Sequence, residues 1–244
     1  MNLPPALVQS LQAATGEAAA PGAVTPVAGG DIHRALVLRL GRRDWFVKLN
    51  RADRLPLFET ELESLRALAR SATLRGGDAE ALGRGLAALH RVTGPAHGWP
   101  TDNFIGATPQ PNGWLESWPE FWWKRRLAPQ FERAVEAGGG TLRPAAEQLR
   151  RALPRLLEGH APAPSLLHGD LWGGNHAYLP DGEPVIFDPA SFFGDRETDL
   201  AMMELFGGFD PAVRRAYEHA FPLHGGYTKR RPLYQLYHVL NHFN

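Results

Sequence analysis

Cysteine is absent from the 244-residue chain. That excludes disulfides, thiolate nucleophiles and cysteine-based zinc sites. It also suits a reducing compartment, so the expectation is a cytoplasmic protein. An excess of either charge is missing as well: 26 basic and 26 acidic residues cancel to zero. Nothing in that balance points to nucleic acid as a partner, and there is no acidic tail. No apolar run approaches the roughly 20 residues that a membrane-spanning helix needs. The opening MNLPPALVQSLQAATGEAAA has neither a basic start nor a continuous apolar segment, so it reads as neither signal peptide nor anchor. Internal repeats and low-complexity tracts are missing too. Lysine is scarce, with Lys48, Lys124 and Lys229 the only three among the 26 basic residues. In a chain that otherwise writes arginine, each lysine raises the question of what it is for.

What is present follows two periods. LPPALVQSLQAAT reads as a short amphipathic helix. Leu36, Leu38 and Leu40, then Trp45, Val47 and Leu49, alternate with period two around GRRD, the pattern of a small antiparallel sheet. A Gly29-Gly30 turn precedes it. PLFETELESLRALA carries apolar residues at 58, 62, 65 and 69, which predicts a helix with Pro56 in its first turn. Another helix follows, with Asp78 as its N-cap and Leu82, Leu86 and Leu89 on one side. Ser117-Trp-Pro-Glu120 has the form of a capping box and opens the aromatic-rich FWWKRRLAPQFERAVE, which Gly138–Gly140 ends. A helix over 143–158 is expected to turn Leu149, Leu153 and Leu156 inward. The chain from Thr198 onward is again mostly helical. The layout is α+β: a small β-rich part over residues 1–75 and a larger helical part over 76–244.

The chemistry concentrates in HGDLWGGN (168–175) and IFDPA (186–190). Two β-like runs separate them, joined by a PDG turn. If Asp181-Gly182 form a two-residue turn, paired residue numbers sum to 363 and Asn175 faces Asp188. If Pro180-Asp181 form a type I turn with a glycine bulge, the register shifts by one and the two become diagonal neighbours. Either way an amide and a carboxylate meet at one end of a hairpin, an oxygen-donor site suited to Mg²⁺. Asp170, at the head of the loop, is better placed to accept a proton from a substrate hydroxyl. An Asp, four residues, an Asn and then a second Asp is the order used for phosphoryl transfer in protein kinases. Lys48, between apolar residues in WFVKLN, then becomes the cation for the α- and β-phosphates. Glu61 is its expected ion-pair partner, with Glu59 and Glu63 solvated; the alternative is that all three acids form a surface face. Gly29 and Gly30 form either a phosphate-covering turn or a plain hairpin turn. Asp199 is either a helix cap or a carboxylate that accepts backbone N–H groups from the catalytic loop, with His168 as a further support of that loop.

Taken together, LLHGDLWGGN, IFDPASFFGDRETDLAM, DNFIGATPQPNGW and AGGDIHRA…FVKLN…FETELESL resemble the fructosamine kinase (ketosamine-3-kinase) family. The resemblance runs from about Val24 to the C-terminus. It implies a bilobal protein-kinase-like fold, related to aminoglycoside phosphotransferases and choline kinases. It also implies ATP- and Mg²⁺-dependent phosphorylation of the 3-hydroxyl of a ketosamine, either a small molecule or a glycated protein. On that resemblance Asp170 is the base, Asn175 and Asp188 are the metal ligands, and Lys48 with Glu61 orients the phosphates. Trp172 becomes a candidate for stacking on the sugar, beside the alternative of core packing. The chain departs from the family pattern in two places. LRGGDAE bridges directly where relatives carry further small-lobe strands and the adenine hinge, and the last helix stops at LNHFN. The competing readings are a related kinase acting on a sugar, aminoglycoside or choline-like hydroxyl, and a non-catalytic protein with the kinase fold. DNFIGATPQPN separates the first of these, having no counterpart in those relatives. The sequence carries no signal for an oligomeric state.

Overall fold

Alternating leucines turn the first part of the chain into a sheet. In this computed structural model, which describes residues 5–16, 24–27, 33–40, 43–71, 78–179 and 181–244, helix α1 (Pro5–Thr15) precedes strands β1 (Val24–Val27), β2 (Arg34–Leu40) and β3 (Arg43–Leu49). The strands run antiparallel in the order β1-β2-β3, with Leu36 opposite Val47 and Leu38 opposite Trp45. Period two places Leu36, Leu38 and Leu40 on one face. All three are buried and form a small core with Val47, against which Leu11, Val24, Trp45 and Leu49 pack.

By its contacts the chain divides into two compact units, Met1–Pro56 and Leu57–Asn244. The division falls at the head of helix α2 (Leu55–Ser71), whereas the sequence reading draws its functional boundary beyond the end of that helix, near residue 75. The cause is the inward face of α2, where Leu57, Ser64 and Leu68 are buried and Leu68 joins the core of the larger unit. That face is not the expected 58, 62, 65 and 69: Leu62 is 46% exposed and Ala69 is exposed. Positions 57, 61, 64 and 68 are an equally good helical line. Polar Glu61 and Ser64 hide it from a count of apolar residues.

The larger unit begins with α3 (Ala79–His90), whose first turn is closed by the Asp78 carboxylate accepting from the Ala81 N–H at 2.7 Å. Leu82, Leu86 and Leu89 are buried as expected. Helix α4 (Trp118–Phe121) starts where the Ser117 hydroxyl accepts from the Glu120 N–H, then widens into a π-helical stretch, Trp122–Leu127, before α5 (Ala128–Glu136). The wider turn carries Trp122, Arg126 and Leu127 inward together. Trp122 meets the rings of Tyr234 and Tyr237 at centroid distances of 5.2 and 5.6 Å. Such contacts each add about 0.5–1.5 kcal/mol to their area burial. In α6 (Arg143–Leu156) the inward line is Leu149, Leu153 and Leu157; Leu156, expected inside, is 49% exposed. A spacing of four continues from 149 through 153 to 157, so 156 falls off the face.

Short two-stranded sheets punctuate the helices. β4 (Asn103–Ile105) pairs with β5 (Thr108–Gln110), β6 (Ser165–Leu166) with β9 (Phe193–Gly194), and β7 (His176–Tyr178) with β8 (Pro184–Ile186). Helices α7 (Glu197–Phe206), α8 (Pro211–Ala220) and α9 (Tyr227–Phe243) complete the unit. No helix among the described residues is long and apolar enough to cross a membrane.

Candidate active site

The loop of residues 168–175 is launched from β6, whose Leu166 and the following Leu167 are fully buried and paired to the segment around Phe192 and Phe193. Gly169 has φ +86° and passes so close to residue 190 that a Cβ there would lie 2.0 Å from the Ala190 carbonyl oxygen. Only glycine fits. The Ala190 N–H returns a bond to the His168 carbonyl at 2.9 Å. The buried His168 ring spans the same gap: Nδ1 accepts from the Asp170 N–H at 3.3 Å, and Nε2 therefore donates to the Phe187 carbonyl at 2.9 Å. Burial lowers its pKa, in keeping with a neutral imidazole in that tautomer.

Asp199, in the first turn of α7, spends its carboxylate on this loop. Oδ2 accepts from the His168 N–H at 2.8 Å and Oδ1 from the Gly169 N–H at 2.9 Å. A third donor comes from α3, His90 Nε2, 3.1 Å from Oδ2. Behind His90 the proton order is fixed. Arg196 can only donate, so the Tyr217 oxygen accepts from it at 3.0 Å and passes its own hydrogen to His90 Nδ1 at 2.8 Å, leaving the hydrogen of Nε2 for Asp199. Burial alone would raise the pKa of Asp199; the His90 hydrogen bond, the electrostatic influence of His90 and His168 and the Gly169 N–H overcome it and hold the group below its ordinary value.

The hairpin beyond the loop pairs His176 with Ile186 and Tyr178 with Pro184, and the Phe187 N–H donates to the Asn175 carbonyl at 3.1 Å. Paired numbers thus sum to 362, the register of a bulged turn. The turn itself is closed by Gly182 N–H to the Leu179 carbonyl at 2.8 Å, with Gly182 at φ +87°. Asn175 stands across from Phe187, and Asp188 is the next residue along, held at φ +57°. Among the described residues Asp188 alone, other than glycines, has positive φ.

Asn175 is buried, and its Nδ2 donates to the Asp170 carbonyl at 2.8 Å, with the Asp170 Oδ2 at 3.5 Å. Its Oδ1 carries no hydrogen bond among the described residues. Asp170 itself is partly buried at the loop head, and its pKa is pushed up to about 7, first by desolvation and then by the charges of Asp199 and Asp188, against the Asn175 hydrogen bond. An uncommitted amide oxygen and a carboxylate close enough to perturb Asp170 are hard donors that fit a divalent cation, which would oppose that rise. His160, Asp195 and Glu197 also converge, with ligand atoms within 4.8 Å. Their oxygens, however, already accept from Tyr234 at 2.6 Å and from Arg230 at 2.6 and 2.8 Å. A cation there would have to displace those donors.

Trp172 is 42% exposed and so is not a core residue; its ring folds back over Gly174, where a Cβ would lie 2.2 Å from the indole. Gly173 packs against Gly207 and Gly208, and the His176 ring stacks on Phe209 at 4.3 Å. Lys48 lies in the smaller unit, opposite Ala35, on the sheet face turned away from Leu36, Leu38 and Leu40. Glu61 lies half-buried on the inward line of α2, while Glu59 and Glu63 are exposed. Gly29 and Gly30 lie outside the described residues. The sequence reading missed His90, Tyr217 and Arg196. Only His90 left a trace there, as a polar residue closing the apolar row of α3.

The family profile described as fructosamine kinase matches this chain over residues 4–78 and 74–244, two stretches that meet at the junction where LRGGDAE stands. A protein of Synechocystis sp. named a probable ketoamine kinase is 42% identical over 246 residues, 89% of this chain and 83% of that protein. Two crystal structures named provisionally as fructosamine-3-kinases superpose closely. One, from Haemophilus somnus, has a TM-score of 0.84 at 25% identity over 96% of this chain and 88% of its own. The other, from Thermobifida fusca, has a TM-score of 0.81 at 31% identity over 97% and 91%. A macrolide 2′-phosphotransferase of Brachybacterium faecium shares the protein-kinase-like fold alone, at 16% identity and a TM-score of 0.58. The profile spans nearly the whole chain, and with it the loop of Asp170 and Asn175 and the hairpin that leads to Asp188: the chain belongs to the fructosamine kinase family.

Proposed function

We propose that this chain is an ATP- and Mg²⁺-dependent kinase that phosphorylates the 3-hydroxyl of ketosamines, on a free amine or on a glycated protein, in the cytoplasm. Residues 1–75 serve the nucleotide and residues 76–244 carry the catalytic loop and the acceptor. The observation that carries the reading is the use of Asn175: its NH₂ secures Asp170 while its oxygen stays uncommitted, with Asp188 one step beyond the residue across from it.

In this reading the Asp170 carboxylate takes the proton of the acceptor hydroxyl. The oxygen so exposed forms a bond to the γ-phosphorus, and the bond from that phosphorus to the β–γ bridging oxygen breaks, releasing ADP. Magnesium, when bound, neutralises charge on the phosphate oxygens, and Asn175 Oδ1 and Asp188 are the groups that would hold it. Lys48, Glu61, Gly29 and Gly30 are the residues assigned to the nucleotide phosphates in this reading. His168 and Asp199 keep the loop in place. Trp172 offers half an indole face beside the base, suited to the apolar side of a sugar.

The test is ADP release by purified protein given Mg-ATP and a fructose- or ribulose-lysine analogue. Release in proportion to the ketosamine is expected. Turnover of free sugars with none of any ketosamine would replace this reading with that of a related sugar kinase.

A further inference from the structure

Four polar side chains that touch neither the base nor the proposed metal ligands are buried together: Asn103, Gln110, Asn112 and Arg126, none more than 2% exposed. Burying amides and a guanidinium is costly unless they are paired. Here the pairing has a direction. Arg126 can only donate, and its NH2 bonds the Asn112 Oδ1 at 2.8 Å. Asn112 must then turn its NH₂ away, and it donates to Asn103 Oδ1 at 2.9 Å. Asn103 in turn must offer its own NH₂ elsewhere, and it reaches the Ser191 carbonyl at 2.9 Å. Gln110 is fixed in the same way: the Tyr237 hydroxyl donates to its Oε1 at 2.7 Å, and its Nε2 donates to the Ala190 carbonyl at 3.1 Å and to Asn103 Oδ1 at 2.9 Å. One donor-only cation thus sets every amide orientation as far as two carbonyls of a single loop.

Those carbonyls lie two and three residues after Asp188. Ala190 also bonds the His168 carbonyl and presses on Gly169, while on the other side of Asp188 the Phe187 N–H is held by Asn175. A non-glycine residue at φ +57° is a strained backbone, and such strain persists only where the surroundings over-determine it. The Arg126 ring contacts, 3.9 Å over Phe192 and 4.8 Å over Phe121, keep its end of the chain from moving.

We infer that Asn103, Gln110, Asn112 and Arg126 form a positioning device that clamps the loop carrying Asp188 in its left-handed conformation, and so fixes the oxygen donors of the metal site. The geometric half of this stands on the hydrogen bonds; the metal half rests on the function proposed above.

The test compares Gln110→Met with Leu153→Val, a core substitution away from the loop, at temperatures chosen for equal global stability. Amide hydrogen exchange is followed over residues 187–193 in nucleotide-free protein, and Mn²⁺ binding in the presence of ADP is read by electron paramagnetic resonance. The expected result for Gln110→Met is exchange over 187–193 faster by about tenfold or more than in Leu153→Val. Mn²⁺ affinity is expected to fall by about tenfold, with ADP affinity in the absence of metal unchanged. Exchange no faster than in Leu153→Val overturns the proposal, whatever the Mn²⁺ result; faster exchange with unchanged Mn²⁺ affinity overturns its metal half. If the unsubstituted protein binds no Mn²⁺ with ADP, the kinase reading fails and exchange alone decides the clamp. Should Gln110→Met not fold, Tyr237→Phe removes only the hydroxyl that orients Gln110 and is subject to the same two criteria.

Discussion

Asp199→Asn keeps the shape of the side chain and exchanges one acceptor oxygen for a donor, in a place where three donors already point. In the best arrangement the remaining oxygen takes the Oδ2 position and accepts from both the His168 N–H and His90 Nε2, and the new NH₂ faces the Gly169 N–H, which was bonded at 2.9 Å and loses its partner. A buried donor left unsatisfied costs about 1–3 kcal/mol, and loss of charge assistance on the His168 bond adds about 1 kcal/mol more. The opposite flip sets the NH₂ against two donors; His90 could then change tautomer to accept from it, but the Tyr217 hydroxyl, which already accepts from Arg196, would have nowhere to send its hydrogen. The expected loss is about 3 kcal/mol, a fall in Tm of roughly 6–12 °C for a chain of this length. Scanning calorimetry and urea unfolding at pH 7 measure it. Because the folded-state pKa of Asp199 lies below its ordinary value, the carboxylate's contribution is complete above about pH 4 and is lost as the pH falls through the folded value. The gap between the two proteins should therefore close in acid. A difference below about 1 kcal/mol at pH 7, or a gap that widens in acid, would refute the hydrogen-bond account.

Four further outcomes are expected. Asp170→Ala lowers turnover by at least about a hundredfold with little change in nucleotide binding, and a variant that stayed active would remove Asp170 from the role of base. Gly169→Ala costs about 3 kcal/mol or more in urea unfolding, since it adds a positive-φ penalty to a 2.0 Å approach to the Ala190 oxygen; a loss under 1 kcal/mol would contradict the tight crossing. His238 is buried, and burial drives its pKa from the ordinary 6.5 to about 3, so stability is whole above pH 6.5 and is lost as the pH falls toward 3 and the unfolded chain takes up the proton, by roughly 5 kcal/mol in total. His238→Asn should flatten the decline in stability between pH 6.5 and 4, and parallel curves would show that this histidine is not responsible. Asp188→Asn abolishes turnover yet keeps the folded structure by circular dichroism, because asparagine tolerates the left-handed conformation that Asp188 adopts. Loss of that signal would mean that the charge at 188 holds the fold.

What could be read in advance was local. The period-two leucines, the Asp78 and Ser117 caps and the two chemical motifs each announce themselves within a dozen residues. Even the shifted hairpin register was one of two options that Pro180 and Gly182 allowed. The two errors on helix faces differ in origin: in α2 the polar Glu61 and Ser64 on the inward line are invisible to a count of apolar positions, whereas in α6 two leucines compete and the spacing of four runs on to Leu157 rather than Leu156. The π-helical stretch at Trp122–Leu127 breaks the phase that any fixed period assumes, so Arg126 could not be placed inside. The polar chains were hidden for a different reason. His90 reaches Asp199 across 109 residues and Tyr217 across 127, and Tyr237 reaches Gln110 across 127. Only tertiary packing joins such groups. DNFIGATPQPN was legible as a signature, but not as a set of amides aimed at the carbonyls beyond Asp188.

The bulge at Gly182 implies a rule for how this protein can diverge. Asp181 at the tip is exposed, so its letter can change, whereas Gly182 is held to glycine by its φ of +87°. The length of the tip is fixed too, because adding or deleting one residue would slide one strand past the other and swap the sides on which alternate side chains emerge. Among descendants of this sequence, substitutions at Asp181 should be common, and viable insertions should come in forms that restore the pairing of 176 with 186.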